Sequence, residues 1–156
     1  MDKIEIARQL KLDVLLCFSA YSLSHAFSRF YRPMLDKLGL TYPQFIVMMV
    51  LWERGKVTMR ELTDLVMLES NTLTPLLKKL EAAGLVSRSR NKTDERVLDV
   101  EVTAPGLKLK DDGQMAAVEL AMASGETLDG VIEMQQRMAA MRESVREKLE
   151  TAGSSN

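Results

Sequence analysis

Thr58-Met-Arg-Glu-Leu-Thr-Asp-Leu-Val66 followed by Ser70-Asn-Thr-Leu-Thr-Pro-Leu-Leu-Lys-Lys-Leu-Glu-Ala-Ala-Gly84 decides the fold. Thr58 stands three residues before Glu61, the spacing at which a Thr and a Glu satisfy each other's orphan amides at a helix start. Met59, Leu62, Leu65 and Val66 then give a one-faced helix of about two turns. After a break at Leu68-Glu69, Leu73, Leu76, Leu77 and Leu80 form the buried stripe of a second helix, with Gly84 as its permissive stop. Ser70, Asn71, Thr72, Thr74, Lys78 and Lys79 are left outside. Pro75 removes one helical donor, so the helix is expected to kink there or to begin near Thr72.

Working outward, Leu85–Arg90 and Arg96–Val102 alternate as two strands joined by the polar tip Asn91-Lys-Thr-Asp-Glu95. Helix, turn, helix and basic hairpin read as a winged helix-turn-helix. Short hydroxyl and amide side chains early in the second helix suit base edges, and Lys one or two turns later suits phosphates. Ser70 to Arg96 holds six bases and three acids, so 6 − 3 = +3, whereas Asp111 to Asn156 holds four bases and nine acids, so 4 − 9 = −5. The net charge of −1 is not that of a general nucleic-acid coat. A local basic reader on a neutral body suits specific double-stranded DNA instead.

At 156 residues, with 46% apolar and 28% charged residues, the chain is expected to be one mainly α domain, residues 1–156, with a small β-hairpin wing. No run approaches the ~20 apolar residues of a membrane span, and Met1-Asp-Lys-Ile-Glu-Ile has no signal-peptide pattern, so a cytoplasmic protein with no membrane partner is expected. One Cys excludes an intramolecular disulfide, and no Cys/His cluster offers a metal site; no cofactor is expected.

In chain order, residues 1 to 11 read as a loose arm and Lys11–Phe30 as a helix with Asp13 as N-cap. Its apolar stripe, from Leu12 to Phe30, is wider than one intramolecular face needs. Pro33 and Gly39 punctuate the next segment. Thr41-Tyr-Pro-Gln44 is a second capping box, opening the apolar core helix that ends at Arg54-Gly55, and a short strand near Lys56-Val57 pairs with the wing. Thr103 caps a helix over Ala104–Ala123, Ser124-Gly125 breaks it, and a last helix repeats Leu128, Val131, Ile132 and Met138 onward at three- and four-residue steps. Residues 11–38 and 104–150 are thus candidate dimerisation helices around a reader at 42–103. A two-fold homodimer would set two readers on a palindromic site. Eleven Met residues suit adaptable packing.

Cys17 lies in Leu15-Leu-Cys-Phe-Ser-Ala-Tyr21. A lone Cys among apolar neighbours is most often a small buried hydrophobe. Two features point elsewhere. A helix starting at Asp13 places the thiol in the first turn, where the dipole favours thiolate. The three Tyr (Tyr21, Tyr31, Tyr42) all lie within 25 residues of it, Tyr21 at i+4 on the same face. A phenol O–H aimed at sulfur stabilises the thiolate. His25, eight residues on, reads as a polar helix residue.

Thr72-Leu-Thr-Pro-Leu-Leu-Lys-Lys-Leu-Glu-Ala-Ala-Gly-Leu-Val, Asp94-Glu-Arg96 and Val102-Thr-Ala-Pro-Gly106 together resemble the MarR family of bacterial transcriptional regulators, over roughly residues 10 to 150. Leu16-Cys-Phe18 with Tyr21, Phe30-Tyr-Arg-Pro33 and Leu40-Thr-Tyr-Pro-Gln44 resemble its organic-hydroperoxide-resistance (OhrR-like), one-cysteine branch. The resemblance implies a dimeric repressor rather than an enzyme. Cys17 would be its redox sensor, hydrogen-bonded by the partner's Tyr31 and Tyr42, with Tyr21 lining the pocket. Oxidation by an organic hydroperoxide, with capping by a low-molecular-weight thiol, would release the operator. It further implies that Ser70, Asn71, Thr72, Thr74, Lys78 and Lys79 face the major groove. Arg96 would enter the minor groove with Asp94 holding the wing, and Arg88 and Arg90 would lie on phosphate. The second, resolving Cys that some members carry in the C-terminal half is absent here. Leu16, Phe18, Phe27, Phe30, Phe45 and Trp52 suit an apolar peroxide pocket and core packing equally. A regulator of the same fold answering to a small aromatic ligand is the alternative; a thiol peroxidase or an unregulated nucleoid binder leaves either the reader or the thiol unexplained.

Overall fold

The computed structural model describes residues 11–153. The expected N-terminal arm falls almost wholly outside them. The chain divides into two compact units at Ala116/Ala117, and no single described helix is long and apolar enough to cross a membrane.

The first unit opens with a 3-10 turn, Leu12–Val14, and α1, Leu16–Leu38. Asp13 is therefore not the N-cap: it sits inside the turn, and Leu15 precedes the α-helix without a side-chain cap. Pro33 does not end α1 either. The helix runs through it because Tyr31 and Leu35, one turn apart, are both buried, and that packing outweighs one lost backbone bond on the exposed side. Gly39, at φ 67°, closes it, with the Leu40 amide reaching back to the Leu35 carbonyl at 3.0 Å.

The α2 helix, Tyr42–Arg54, starts in the Thr41/Gln44 box and buries Phe45, Val47, Met48, Leu51 and Trp52, the centre of the core. The β1 strand, Lys56–Thr58, leads into α3, Met59–Val66, where Thr58 and Glu61 cap each other. Those Thr58 hydrogen bonds hold the Glu61 carboxyl below its usual range. Of the expected α3 stripe, Leu62 is fully buried and Leu65 exposed. Met67 turns the chain at φ 54° into α4, Ser70–Ala82.

Helix α4 begins at Ser70, not Thr72, and Pro75 sits inside it on the exposed face, where the carbonyl it leaves without a helical donor is within reach of water. Leu73, Leu77 and Leu80 are buried, and Leu76 half-buried. The wing strands are β2, Val86–Arg90, and β3, Leu98–Val102; all pairing is antiparallel, in the order β1-β3-β2. Val57, Val86 and Val100 line the inner face of the sheet.

The expected helix 104–123 is two. Thr103 caps α5, Ala104–Leu107, and α6 spans Lys110–Ala123. At the break the Gly106 carbonyl accepts the amide of Leu109, three residues on, at 3.3 Å, and also the Trp52 indole N–H at 2.8 Å. Gly113 of α6 lies so close against the Trp52 ring that a Cβ there would collide with it.

In the second unit, Gly125 (φ 76°) precedes α7, Leu128–Gly153. Leu128, Ile132, Met134, Met138, Met141, Val145 and Leu149 are all exposed along it.

Candidate functional site

The reader emerges from local chemistry. With three leucines of α4 buried, Ser70, Asn71, Thr72, Lys78 and Lys79 are exposed together. Thr74 is half-exposed and its hydroxyl donates to the Ser70 carbonyl at 2.7 Å, leaving its oxygen free only as an acceptor. Ser70 and Arg96 both border one open groove of about 370 Å³, with Met59, Arg60, Thr63 and Asp64 of α3 on its far wall. Start of helix and wing arginine thus lie on one surface.

In the wing, Asp94 accepts from the Arg96 backbone amide and from its Nε at 3.0 Å each, and from the guanidinium through its second oxygen at 3.0 Å. These bonds hold the Asp94 carboxyl below its usual range. The Arg96 side chain is nonetheless 90% exposed: steered, but open to a partner. Arg90 donates to the Glu95 carbonyl at 3.1 Å, closing the base of the loop.

Arg88 departs from expectation. It is turned inward, its backbone amide and guanidinium both bonded to Glu81 at the end of α4, and the Glu81 carboxyl is lowered by that contact. It braces strand to helix rather than standing free for phosphate.

The partners of the wing escaped sequence reading: Glu81 on α4, and Asn91 and Asp99 in the wing itself. Leu98-Asp-Val-Glu-Val102 alternates, so Asp99 reads as a solvated position on the outer face. It is 2% exposed, held by the Lys56 ammonium at 2.7 Å and by the Asn91 amide at 3.1 Å to both oxygens. The only signal in the sequence was Lys56 on a strand able to pair with β3.

Cys17 is exposed, the second residue of α1 and so in its first turn. Tyr21, one turn on and 62% exposed, meets the His25 ring edge-on at 4.4 Å. Tyr31 and Tyr42 lie elsewhere, together: their centroids are 5.4 Å apart and Tyr31 packs on Phe45 at 5.3 Å. Fourteen residues of α1 separate Cys17 from Tyr31, roughly 21 Å along the axis. One chain brings the two tyrosines together but not to the thiol. Phe45 and Trp52, both deeply buried, are core residues rather than the lining of an open pocket.

Burial, and then Tyr42, push the Tyr31 phenol up to about 12 from 10.0; burial also raises Tyr42. Both are O–H donors at neutral pH. Because Tyr31 is the weaker acid when folded, its stability contribution is complete below pH 10, the unfolded value, and is lost as pH rises toward 12. The denaturant midpoint is expected to fall between about pH 10 and about pH 12, and less so in Tyr31→Phe. Equal slopes in the two proteins would contradict the burial of this phenol.

Among the described residues no cluster of three or more His, Cys, Asp or Glu is placed to hold a metal.

A family model described as transcriptional regulator SarA/Rot matches residues 29–112. The chain is 41% identical over 132 residues to the HTH-type transcriptional regulator TtmR of Methylorubrum extorquens, covering 85% of this chain and 68% of that protein. It is 38% identical over 122 residues to the organic hydroperoxide resistance transcriptional regulator of Bacillus subtilis, covering 76% and 83%. It superposes on the structure of reduced AbfR bound to DNA with a TM-score of 0.72 at 31% identity, covering 94% of this chain and 96% of that one.

Proposed function

Since the chain belongs to the MarR family of DNA-binding transcriptional regulators, on its OhrR-like side, we propose that it is a dimeric repressor whose Cys17 senses organic hydroperoxides. One observation carries the reading. An exposed thiol heads α1 while Tyr31, some four turns further along, stacks on the half-buried Tyr42, both protonated. Within one chain the pair does not reach the thiol, and a second copy is needed to bring them together. Leu12 of the 3-10 turn and Leu16 and Phe18 of α1 are apolar and uncovered, and so, in the second unit, is the apolar row of α7; each is surface a second copy can cover.

The chemistry balances simply. The Cys17 thiolate attacks the terminal peroxide oxygen, the O–O bond breaks, and the alkoxide leaves and takes a proton to become an alcohol. The sulfenic acid then condenses with a small cellular thiol, giving a mixed disulfide and water. New bulk among packed helices moves the two readers out of register with successive major grooves. No turnover follows, so the protein is a sensor rather than an enzyme, and a cytoplasmic one.

On DNA, the exposed head of α4 faces the major groove and Arg96 the flanking minor groove of a palindromic operator. Arg96→Ala is expected to weaken binding by about ten-fold or more with no loss of thermal stability, since its ion pair with Asp94 is open to solvent. Fluorescence anisotropy at fixed salt, on a duplex from the protein's own upstream region, measures it. Unchanged affinity would remove Arg96 from the interface. In the same assay, adding an alkyl hydroperoxide and a small thiol should release the reduced protein; indifference to peroxide would leave a DNA-binding regulator with some other signal.

A further inference from the structure

We propose that Asp99 and Asn91 are positioning residues for the wing arginine, a role that rests on the reading of Arg96 as a DNA contact. Five side chains connect the outer face of the sheet to the wing tip. Lys56 on β1 clamps the Asp99 carboxylate on β3, and both oxygens of Asp99 accept from the Asn91 amide nitrogen. With its nitrogen fixed, the amide oxygen of Asn91 points the other way, where it accepts from the backbone of Thr93 at 2.9 Å and of Asp94 at 3.3 Å. The turn is closed by the Asn91 backbone amide donating to the Val97 carbonyl and that of Val97 to the Asp94 carbonyl, both at 2.9 Å. Asp94, thus set, grips Arg96.

The buried carboxylate is what makes this more than a turn. An exposed Asn rotates its amide at small cost; one whose nitrogen is held by a charged, desolvated acceptor does not. Asp99 therefore selects one Asn91 orientation and, through it, one wing conformation. Arg96 reaches DNA already ordered, and the ordering cost is not charged against binding. Without the tether the turn samples other conformations and Arg96 must be ordered on contact.

Asn91→Ala, Arg96→Ala and the double variant, with Asp99→Asn as a second way to loosen the tether, test this. Two readouts apply: anisotropy on the upstream duplex, and amide hydrogen exchange at Thr93 and Asp94 without DNA. Asn91→Ala is expected to speed exchange and to weaken binding about five-fold when Arg96 is present, but less than about two-fold once Arg96 is Ala. Asp99→Asn should follow in the same direction. A merely structural role would weaken binding equally in both backgrounds, and that result, or unaltered exchange, overturns the proposal. If the wild type binds and Arg96→Ala weakens it while Asn91→Ala does not, the positioning role alone fails. If the wild type binds no duplex, the DNA reading fails first and the positioning role with it.

Discussion

Cys17→Ser is expected to bind its upstream DNA like the wild type and to stay bound when an alkyl hydroperoxide and a small thiol are added. The wild type should lose affinity on the order of tens-fold under the same treatment. Oxygen replaces sulfur at nearly constant shape, and the residue is exposed in the first turn of α1, so neither packing nor the reader is disturbed. What disappears is the reducing chemistry: a hydroxyl forms no sulfenic acid. The chain holds a single Cys, so no second thiol substitutes for it. Mass spectrometry of the treated wild type should show the small thiol on Cys17 and nowhere else. Release of the Ser variant by peroxide would sink the Cys17 switch; methionine oxidation would then be the place to look, given eleven Met in the chain.

The second large effect is on stability. Leu77→Ala should cost about 3 kcal/mol, because Leu77 is wholly enclosed and its removal forfeits both transfer energy and the contacts around the resulting void. The melting temperature should drop by roughly 10 °C. Its neighbours provide the control. Lys78 and Lys79 are exposed on the opposite face of α4, so Lys78→Ala should leave the melt nearly unmoved while weakening DNA binding and flattening its salt dependence. Calorimetry of both variants at one protein concentration decides it. A Leu77→Ala protein as stable as the wild type would mean that α4 is not seated as described.

The two-helix reading of Thr58 to Gly84 survives because its signals are local. The capping box spans four residues, the leucine stripe of α4 repeats within one helix, and Gly84 has φ 73°. What escaped was decided at long range. Nothing near Gly106 announces that Trp52, fifty-four residues earlier, donates to its carbonyl just where the expected helix breaks in two. Asp99 looks solvated until Lys56 is laid beside it, and Arg88 looks free until Glu81 is found under it. At both Pro33 and Pro75 the helix runs on through the proline, since neighbouring leucines or a tyrosine are buried on the other side. At the thiol, sequence spacing grouped Cys17 with three tyrosines, whereas along one helix only Tyr21 stays near it.

The aromatic residues have one more consequence, and it is optical. Tyr42, Tyr31, Phe45 and Trp52 form an unbroken file of rings, with centroids 5.4, 5.3 and 6.2 Å apart at successive steps. Trp52 is the only tryptophan in the chain, and its indole is deeply buried and bonded to a carbonyl. Light absorbed by either of these tyrosines is expected to pass to that single acceptor, whose emission is expected to lie to the blue of a solvated indole. A displacement of the tyrosine pair changes the transfer, and a displacement of α5 changes the indole's own colour. The unlabelled protein therefore carries two spectrally separable reporters, one at each end of the file, for watching its conformation while peroxide is added.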